Sequence, residues 1–192
     1  MPSTSYRRWT TSRARALDEI ARAHTAVGGT RRGRRYSTQQ VNRAYAVLLA
    51  SEFQGFCRDL HTECVNHVLL ALAPPPALEL MIQAELTRGR QLDRGNAHPA
   101  SLGADFGRLG ISFWVEVESS NPRNKARRHA LDLLNNWRNA IVHQDFDPGK
   151  LGGTTLGLAQ VQQWRVACQR LARAFDGVMY RYLRGLTGVS PW

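Results

Sequence analysis

Leu131–Phe146, LDLLNNWRNAIVHQDF, is the stretch on which the reading of the whole chain turns. At about 100° per residue, Ala126, Ala130, Leu133, Leu134, Trp137 and Ile141 form one stripe, the pattern of a helix with a buried face. Asp132, Asn135, Asn136, Asn139 and His143 occupy the opposite side. Asn139 and His143, four apart, are neighbours on such a helix. Arg138 and His143, five apart, are separated by roughly 140°. Arg138 sits at the edge of the apolar stripe, where its stem can lie along the core while its head reaches out. For Arg138 and His143 to serve one substrate, the helix must end near His143 or a second copy must supply the missing half. The asparagines of the polar face suit a two-fold contact between identical helices.

Upstream, Ser37 or Thr38 is expected to cap the longest helix, which ends before Pro74-Pro75-Pro76. Val41, Tyr45, Leu48, Leu49, Phe53, Phe56, Leu60, Cys64, Val68 and Leu72 keep three-and-four spacing along it, as in a bundle helix. Ser12 is expected to cap an earlier helix through Val27, closed by Gly28-Gly29; residues 1–11 carry no periodic pattern and are expected to be disordered. A third helix is predicted over Ala77–Leu92, followed by a loop over Arg94–Ser101 that includes His98. Within 102–120 a short helix over Ala104–Leu109 is expected. FWVEVE, Phe113–Glu118, alternates as a strand would, but a lone strand has no partner, so an extended packing segment is predicted there.

Asn121-Pro122 is a strong start for the helix carrying Arg138 and His143, and Asp147-Pro148-Gly149 closes it. Thr154 or Thr155 opens a last long helix with Val161, Trp164, Cys168, Leu171, Phe175, Val178 and Tyr182 inward. Arg165, Arg170, Arg173 and Arg181 are expected on its exposed face, and the terminal GVSPW is expected to fray. The chain therefore predicts an all-α fold, a helical bundle of about five helices. It divides into a basic N-terminal segment with one helix (1–36), the bundle (37–186) and a tail (187–192).

With 192 residues the chain suffices for one core. No apolar run approaches the roughly 18 residues a membrane span needs, and a cytoplasmic protein without membrane contact is expected. Three cysteines without paired spacing agree with a reducing compartment. The formal net charge is +11, and 24 of the 26 basic residues are arginine. Through Arg43 the chain carries +8, leaving +3 for the remainder. Such asymmetry suggests an anionic partner, most simply nucleic acid. In TRRGRRY, Thr30–Tyr36, the residues Arg31, Arg32, Arg34 and Arg35 have the character of a phosphate-contacting arm; a solvated connector is the plainer alternative.

Few enzyme classes are signalled. There is no phosphate-cradling glycine loop and no supported Ser-His-Asp arrangement. Cys57, His61 and Cys64 share a helix face at i, i+4, i+7. A fourth ligand is missing, however, and cysteines on an apolar face usually pack, so no metal site is expected.

Arg138-Asn139 followed by His143 on a late helix of an all-α chain resembles the HEPN (higher eukaryotes and prokaryotes nucleotide-binding) domain superfamily. Its hallmark is Arg, four to six residues, then His, with a polar residue, often Asn, straight after the Arg. Arg123 and His129 repeat the bare spacing, but in a solvated basic stretch rather than an apolar helix. RAYAVLLASEFQGFCRDL, residues 43–60, is similar to the long early helix of several HEPN families, with Phe53-Gln54-Gly55-Phe56 at a characteristic segment. Gln54 stands where Glu is often seen, and Asp145 where some toxin members have Tyr. The resemblance covers roughly residues 38–184.

It implies a metal-independent endoribonuclease needing no cofactor, in which the RNA 2′-hydroxyl attacks the adjacent phosphate and leaves a 2′,3′-cyclic end. His143 would then be general base or acid, since histidine titrates near neutrality. Arg138 would brace the phosphorane and Asn139 orient the histidine or the phosphate. A single histidine cannot easily be both acid and base, so a homodimer is expected. HEPN proteins occur in toxin–antitoxin, anti-phage defence and regulatory settings, which implies an antitoxin or regulatory protein as a further partner. The alternative implied is a non-catalytic RNA- or nucleotide-binding or dimerisation module.

Overall fold

The computed structural model describes residues 1–28 and 35–192, with the side chains of residues 28 and 35–37 left aside. Among the described residues the chain is all-α, with no strand. Helix α1 (Thr4–Arg8) runs through a π-helical stretch, Trp9–Arg13, into α2 (Ala14–Gly28). Then come α3 (Arg35–Leu72), α4 (Pro76–Thr87), a 3-10 turn at Gln91–Asp93, α5 (Pro99–Gly107) and α6 (Phe113–Ser120). Helices α7 (Arg123–His143), α8 (Pro148–Leu151) and α9 (Leu158–Thr187) complete the chain. No helix among the described residues is long and apolar enough to cross a membrane.

α3, α7 and α9 form the central layer, each packing on the other two. One continuous core runs from Trp9 through Phe53, Phe56, Leu60 and Phe106 to Trp164, Leu171 and Phe175, all almost fully buried. Trp9 stands edge-on to Phe53 at 5.6 Å and tilted to Phe56 at 5.7 Å. The start of the chain is thus ordered, against the disorder expected for residues 1–11. Hydrogen bonds that periodicity does not report account for this. The Glu63 carboxylate accepts from the backbone N–H groups of Thr4 and Ser5 at 2.9 and 3.0 Å and from the Ser5 hydroxyl at 2.7 Å. An anion at a helix N-terminus satisfies donors that have no partner within the helix. Ser3 caps Tyr6 with its hydroxyl, and its own N–H donates to Asp176 at 3.1 Å.

Several boundaries differ from expectation. α3 begins at Arg35, ahead of the expected cap. The third helix stops at Thr87 rather than Leu92, because Arg88 is extended and Gly89 takes φ +69°, a conformation glycine adopts without strain. Phe113–Ser120 is a helix, not an extended segment: Phe113, Trp114 and Val117 are buried at i, i+1, i+4, so both readings share apolar positions and tertiary packing chose the helix. α9 opens at Leu158, after the expected Thr154 or Thr155. The tail is less frayed than expected, with Trp192 partly buried and its ring 6.1 Å from that of Tyr180. On α7 the buried side is turned from the expected stripe toward Leu131, Leu134, Asn135, Trp137 and Ala140, while Ala126 is exposed.

Phe53-Gln54-Gly55-Phe56 has a local explanation. Gln54 Nε2 donates to the carbonyl of Leu92 at 2.9 Å. Gly55 lies under the Arg13 guanidinium, which bonds Glu52 at 2.6 Å and Asp59 at 3.0 Å. A methyl group at residue 55 would stand 2.5–2.9 Å from the guanidinium atoms. Gly55→Ala is therefore expected to leave stability nearly unchanged, because displacing the flexible end of Arg13 offsets the helix-propensity gain of about 1 kcal/mol. In an Arg13→Ala background the same change should instead gain up to about 1 kcal/mol of helix propensity. Urea unfolding of the four-member cycle measures the coupling, and purely additive effects would refute the arrangement.

Candidate functional site

α7 stops at His143. Gln144 turns left-handed at φ 57°, and its side-chain Nε2 donates to the Ile141 carbonyl at 2.7 Å. The Asp145 N–H reaches back to the Ala140 carbonyl at 3.1 Å. The facing wall is held by the core: Trp137 Nε1 donates to the Leu151 carbonyl at 3.2 Å, and Asn42 Nδ2 to the Leu156 carbonyl at 2.9 Å. The Arg43 guanidinium lies 4.4 Å over the ring of Phe146, tying the post-helix segment to α3.

Between these walls is an open cleft of about 280 Å³. Asn136, Asn139 and His143 line its α7 side, with Asp145, Asp147 and Lys150 among the residues facing them. His143 is exposed. Lys150 lies 3.7 Å from Asp147, whose carboxylate also caps Gly149 at 2.9 Å. The cleft therefore offers an imidazole, two amides and an ammonium, together with two carboxylates.

Of the three residues singled out in the sequence, Asn139 and His143 share this cleft and Arg138 does not line it. Arg138 is half-buried, and its Nη1 donates to Asn139 Oδ1 at 3.2 Å. Asn96 Nδ2 donates to the same oxygen at 2.6 Å. The carbonyl end of Asn139 is thus held by two donors, which leaves its amide nitrogen as the end available to the cleft.

The polar face of α7 is largely satisfied within the chain, where the sequence suggested a second copy. His98 Nε2 lies 3.0 Å from Asp132, Asn135 Nδ2 donates to the Ala97 carbonyl at 3.1 Å, and Asn96 holds Asn139. His98 is therefore a structural contact and more than a loop residue. Asn136 and His143 are the polar-face residues left toward the cleft. Sequence reasoning missed Asn96, Asn136 and Lys150 as site residues. The lysine's only signal was its position just past the helix-closing Asp147-Pro148-Gly149.

Arg31, Arg32 and Arg34 lie outside the described residues, as does the side chain of Arg35. The backbone of Arg35 opens α3, eight residues ahead of Arg43 and so about 12 Å along the axis from the residue that touches Phe146.

Among the described residues no group of His, Cys, Asp and Glu is disposed to hold a metal. Cys57 and Cys64 are fully buried, and burial pushes both thiols up. His61, also buried, places Nε2 2.9 Å from the Asp105 carbonyl and Nδ1 3.2 Å from Arg90 Nη1, so its ring is consumed in bridging α3 to α5. Nδ1 accepts from Arg90, which makes Nε2 the protonated nitrogen and the donor to the carbonyl. Burial first, opposed by that hydrogen bond, pushes His61 down to about 4.

Below about pH 6.5 the unfolded chain takes up a proton that the folded His61 refuses, so folding stability falls as pH drops from 6.5 toward 4. The loss approaches about 3 kcal/mol at the lower end. Asp176, raised chiefly by burial, works in the opposite direction over the lower part of this range. Urea unfolding from pH 7 to pH 4 should show the fall, and His61→Gln should flatten it; an unchanged slope would contradict the buried neutral ring.

Compared with known protein families, with curated proteins and with solved structures, the chain matches none.

Proposed function

We propose that the cleft at the end of α7 cleaves RNA without a metal, in the manner implied by the chain's resemblance to HEPN domains. The observation that carries this reading is the termination of α7 at His143, which leaves the imidazole exposed at a cleft beside an Asn139 already fixed by Arg138. In the reaction His143 removes the proton of a 2′-hydroxyl. The 2′-oxygen bonds to the adjacent phosphorus, the bond from phosphorus to the 5′-oxygen breaks, and that oxygen takes a proton as it leaves. The Asn139 amide nitrogen and Lys150, both in the cleft lining, donate to the phosphate oxygens in this reading. Arg138 acts from one bond further back, holding Asn139 in place, and reaches the phosphate itself only by a change of rotamer.

A second proton carrier is needed at the leaving oxygen, and two sources are open. One is His143 of a second copy, brought up by a homodimer built on the outward Asn136 and His143. The other is a water within the same cleft. A neutralising antitoxin or regulatory protein would act by covering this cleft. The second reading is a non-catalytic RNA- or nucleotide-binding or dimerisation module; Asp145 and Asp147 beside the histidine favour its dimerisation form, since carboxylates oppose an approaching phosphate.

The purified protein is expected to cut single-stranded RNA in the presence of a chelator and to leave 2′,3′-cyclic ends, while DNA is bound and left intact. His143→Ala should lower the rate by about 10²–10⁴ with RNA affinity largely kept. Arg138→Ala should lose turnover and some affinity. Neutralising Arg31, Arg32, Arg34 and Arg35 should weaken binding without altering the product ends. Undiminished cleavage by His143→Ala would refute the site. Absence of cleavage by a protein that still binds RNA would leave the module reading.

A further inference from the structure

A groove of about 430 Å³ opens between the start of α7 and the outer face of α9. Four arginines rim it, Arg127 from α7 and Arg170, Arg173 and Arg181 from α9, over a floor that includes Ala174 and Gly177. Among the described residues no carboxylate lines it. Two neighbouring cations are held elsewhere: Arg128 pairs with Glu118 at 3.1 Å, and Arg165 is bound to Tyr45 and Asp18. Arg165 is thereby withdrawn from the exposed arginine face that the sequence suggested.

The rim is built rather than accidental. Asn124, fully buried, anchors its amide nitrogen on the Val117 carbonyl at 2.7 Å and accepts from Arg127 Nη1 at 2.7 Å, which aims the guanidinium at the groove. Partial burial, and then the charges of Arg170 and Arg123, push Arg127 down from its ordinary value. The floor is equally specific. Gly177 lies far inside the 30-residue α9, where glycine costs about 1 kcal/mol relative to alanine. Its missing side chain keeps the floor low under the Arg181 guanidinium, whose Nη1 would stand 3.6 Å from a methyl there.

We infer that this groove binds the phosphodiester backbone of single-stranded RNA, with the arginine rim on the phosphates and the shallow Ala174–Gly177 floor admitting the chain. Four forked cations with no acid among them suit several phosphates better than a single carboxylate. The open trough suits a polymer that passes through. The choice of RNA rests on the reading of the α7 cleft, but the groove is a separate surface: Arg127 is sixteen residues from His143, about 24 Å along α7.

The test is binding of a fluorescent single-stranded RNA oligonucleotide by anisotropy over a range of salt, in both wild type and His143→Ala. Replacing Arg127, Arg170 and Arg173 by Gln should weaken binding at least tenfold and lower the salt slope by about 0.7 per residue, roughly 2 in all. A charge-matched control, Arg15, Arg22 and Arg88 to Gln, should change affinity far less. Gly177→Leu, which fills the floor at constant charge, should weaken binding at least threefold with the slope intact. Circular dichroism and melting identify any variant that fails to fold. Equal losses in the groove and control triples, or wild-type affinity in a folded Gly177→Leu, would overturn the proposal. Binding lost in the groove triple while cleavage chemistry is absent from wild type would uphold it and reject only the cleavage reading.

Discussion

A closed circuit of aromatic rings holds the helices in their places. Phe53 on α3 meets Phe175 on α9 at 6.0 Å, and Phe175 meets Phe113 on α6 at 4.8 Å. Phe113 stacks on Phe106 of α5 at 4.3 Å and 10°, and Phe106 returns to α3 through His61 at 5.3 Å. Four helices are fixed by five rings, and Trp9 closes the open side against Phe53. Each such pair contributes about 0.5–1.5 kcal/mol beyond the area it buries. The greater effect is geometric, because the circuit fixes α5, and the loop over residues 94–98 leads into α5 and meets α7. That loop holds Asn139 through Asn96, and the far cleft inherits its geometry from the ring circuit.

α7 serves two surfaces with one helix. Its last turn gives Asn139 and His143 to the cleft, and its first turns give Asn124 and Arg127 to the arginine groove. Between them Leu131, Leu134 and Trp137 are sunk in the core. The two surfaces differ in electrostatics. The cleft mixes Lys150 and His143 with Asp145 and Asp147, whereas the groove is cationic throughout. A cleft of mixed sign is suited to moving protons and the groove to holding charge.

The fold was legible where three-and-four spacing was long and uninterrupted, as in α3, α7 and α9. It was illegible where elements are short or docked by polar bonds. Phe113–Ser120 alternates in hydropathy yet is helical, since eight residues satisfy either period and only Phe106 and Phe175 decide between them. Thr4–Arg8 has almost no apolar pattern, and its order depends on Glu63, nearly sixty residues away in sequence. At the site, the i,i+4 relation of Asn139 and His143 was visible, as was the need for the helix to end beside them. The bond from Asn96 was not, because a loop residue 43 positions distant leaves no trace in a helical wheel. That bond engages the Asn139 side-chain oxygen from within the chain.

The Ser3–Asp176 hydrogen bond joins residues 173 apart. During synthesis α1 must therefore wait for α9 to emerge before this anchor exists. Until α9 is made, Phe53 and Phe113 lack Phe175 and the space behind Trp9 is unfilled. A nascent chain halted before residue 158 presents that apolar face to its surroundings, and such a surface is what chaperones and proteases engage. Emergence of α9 and closure of the core are in this way almost the same event.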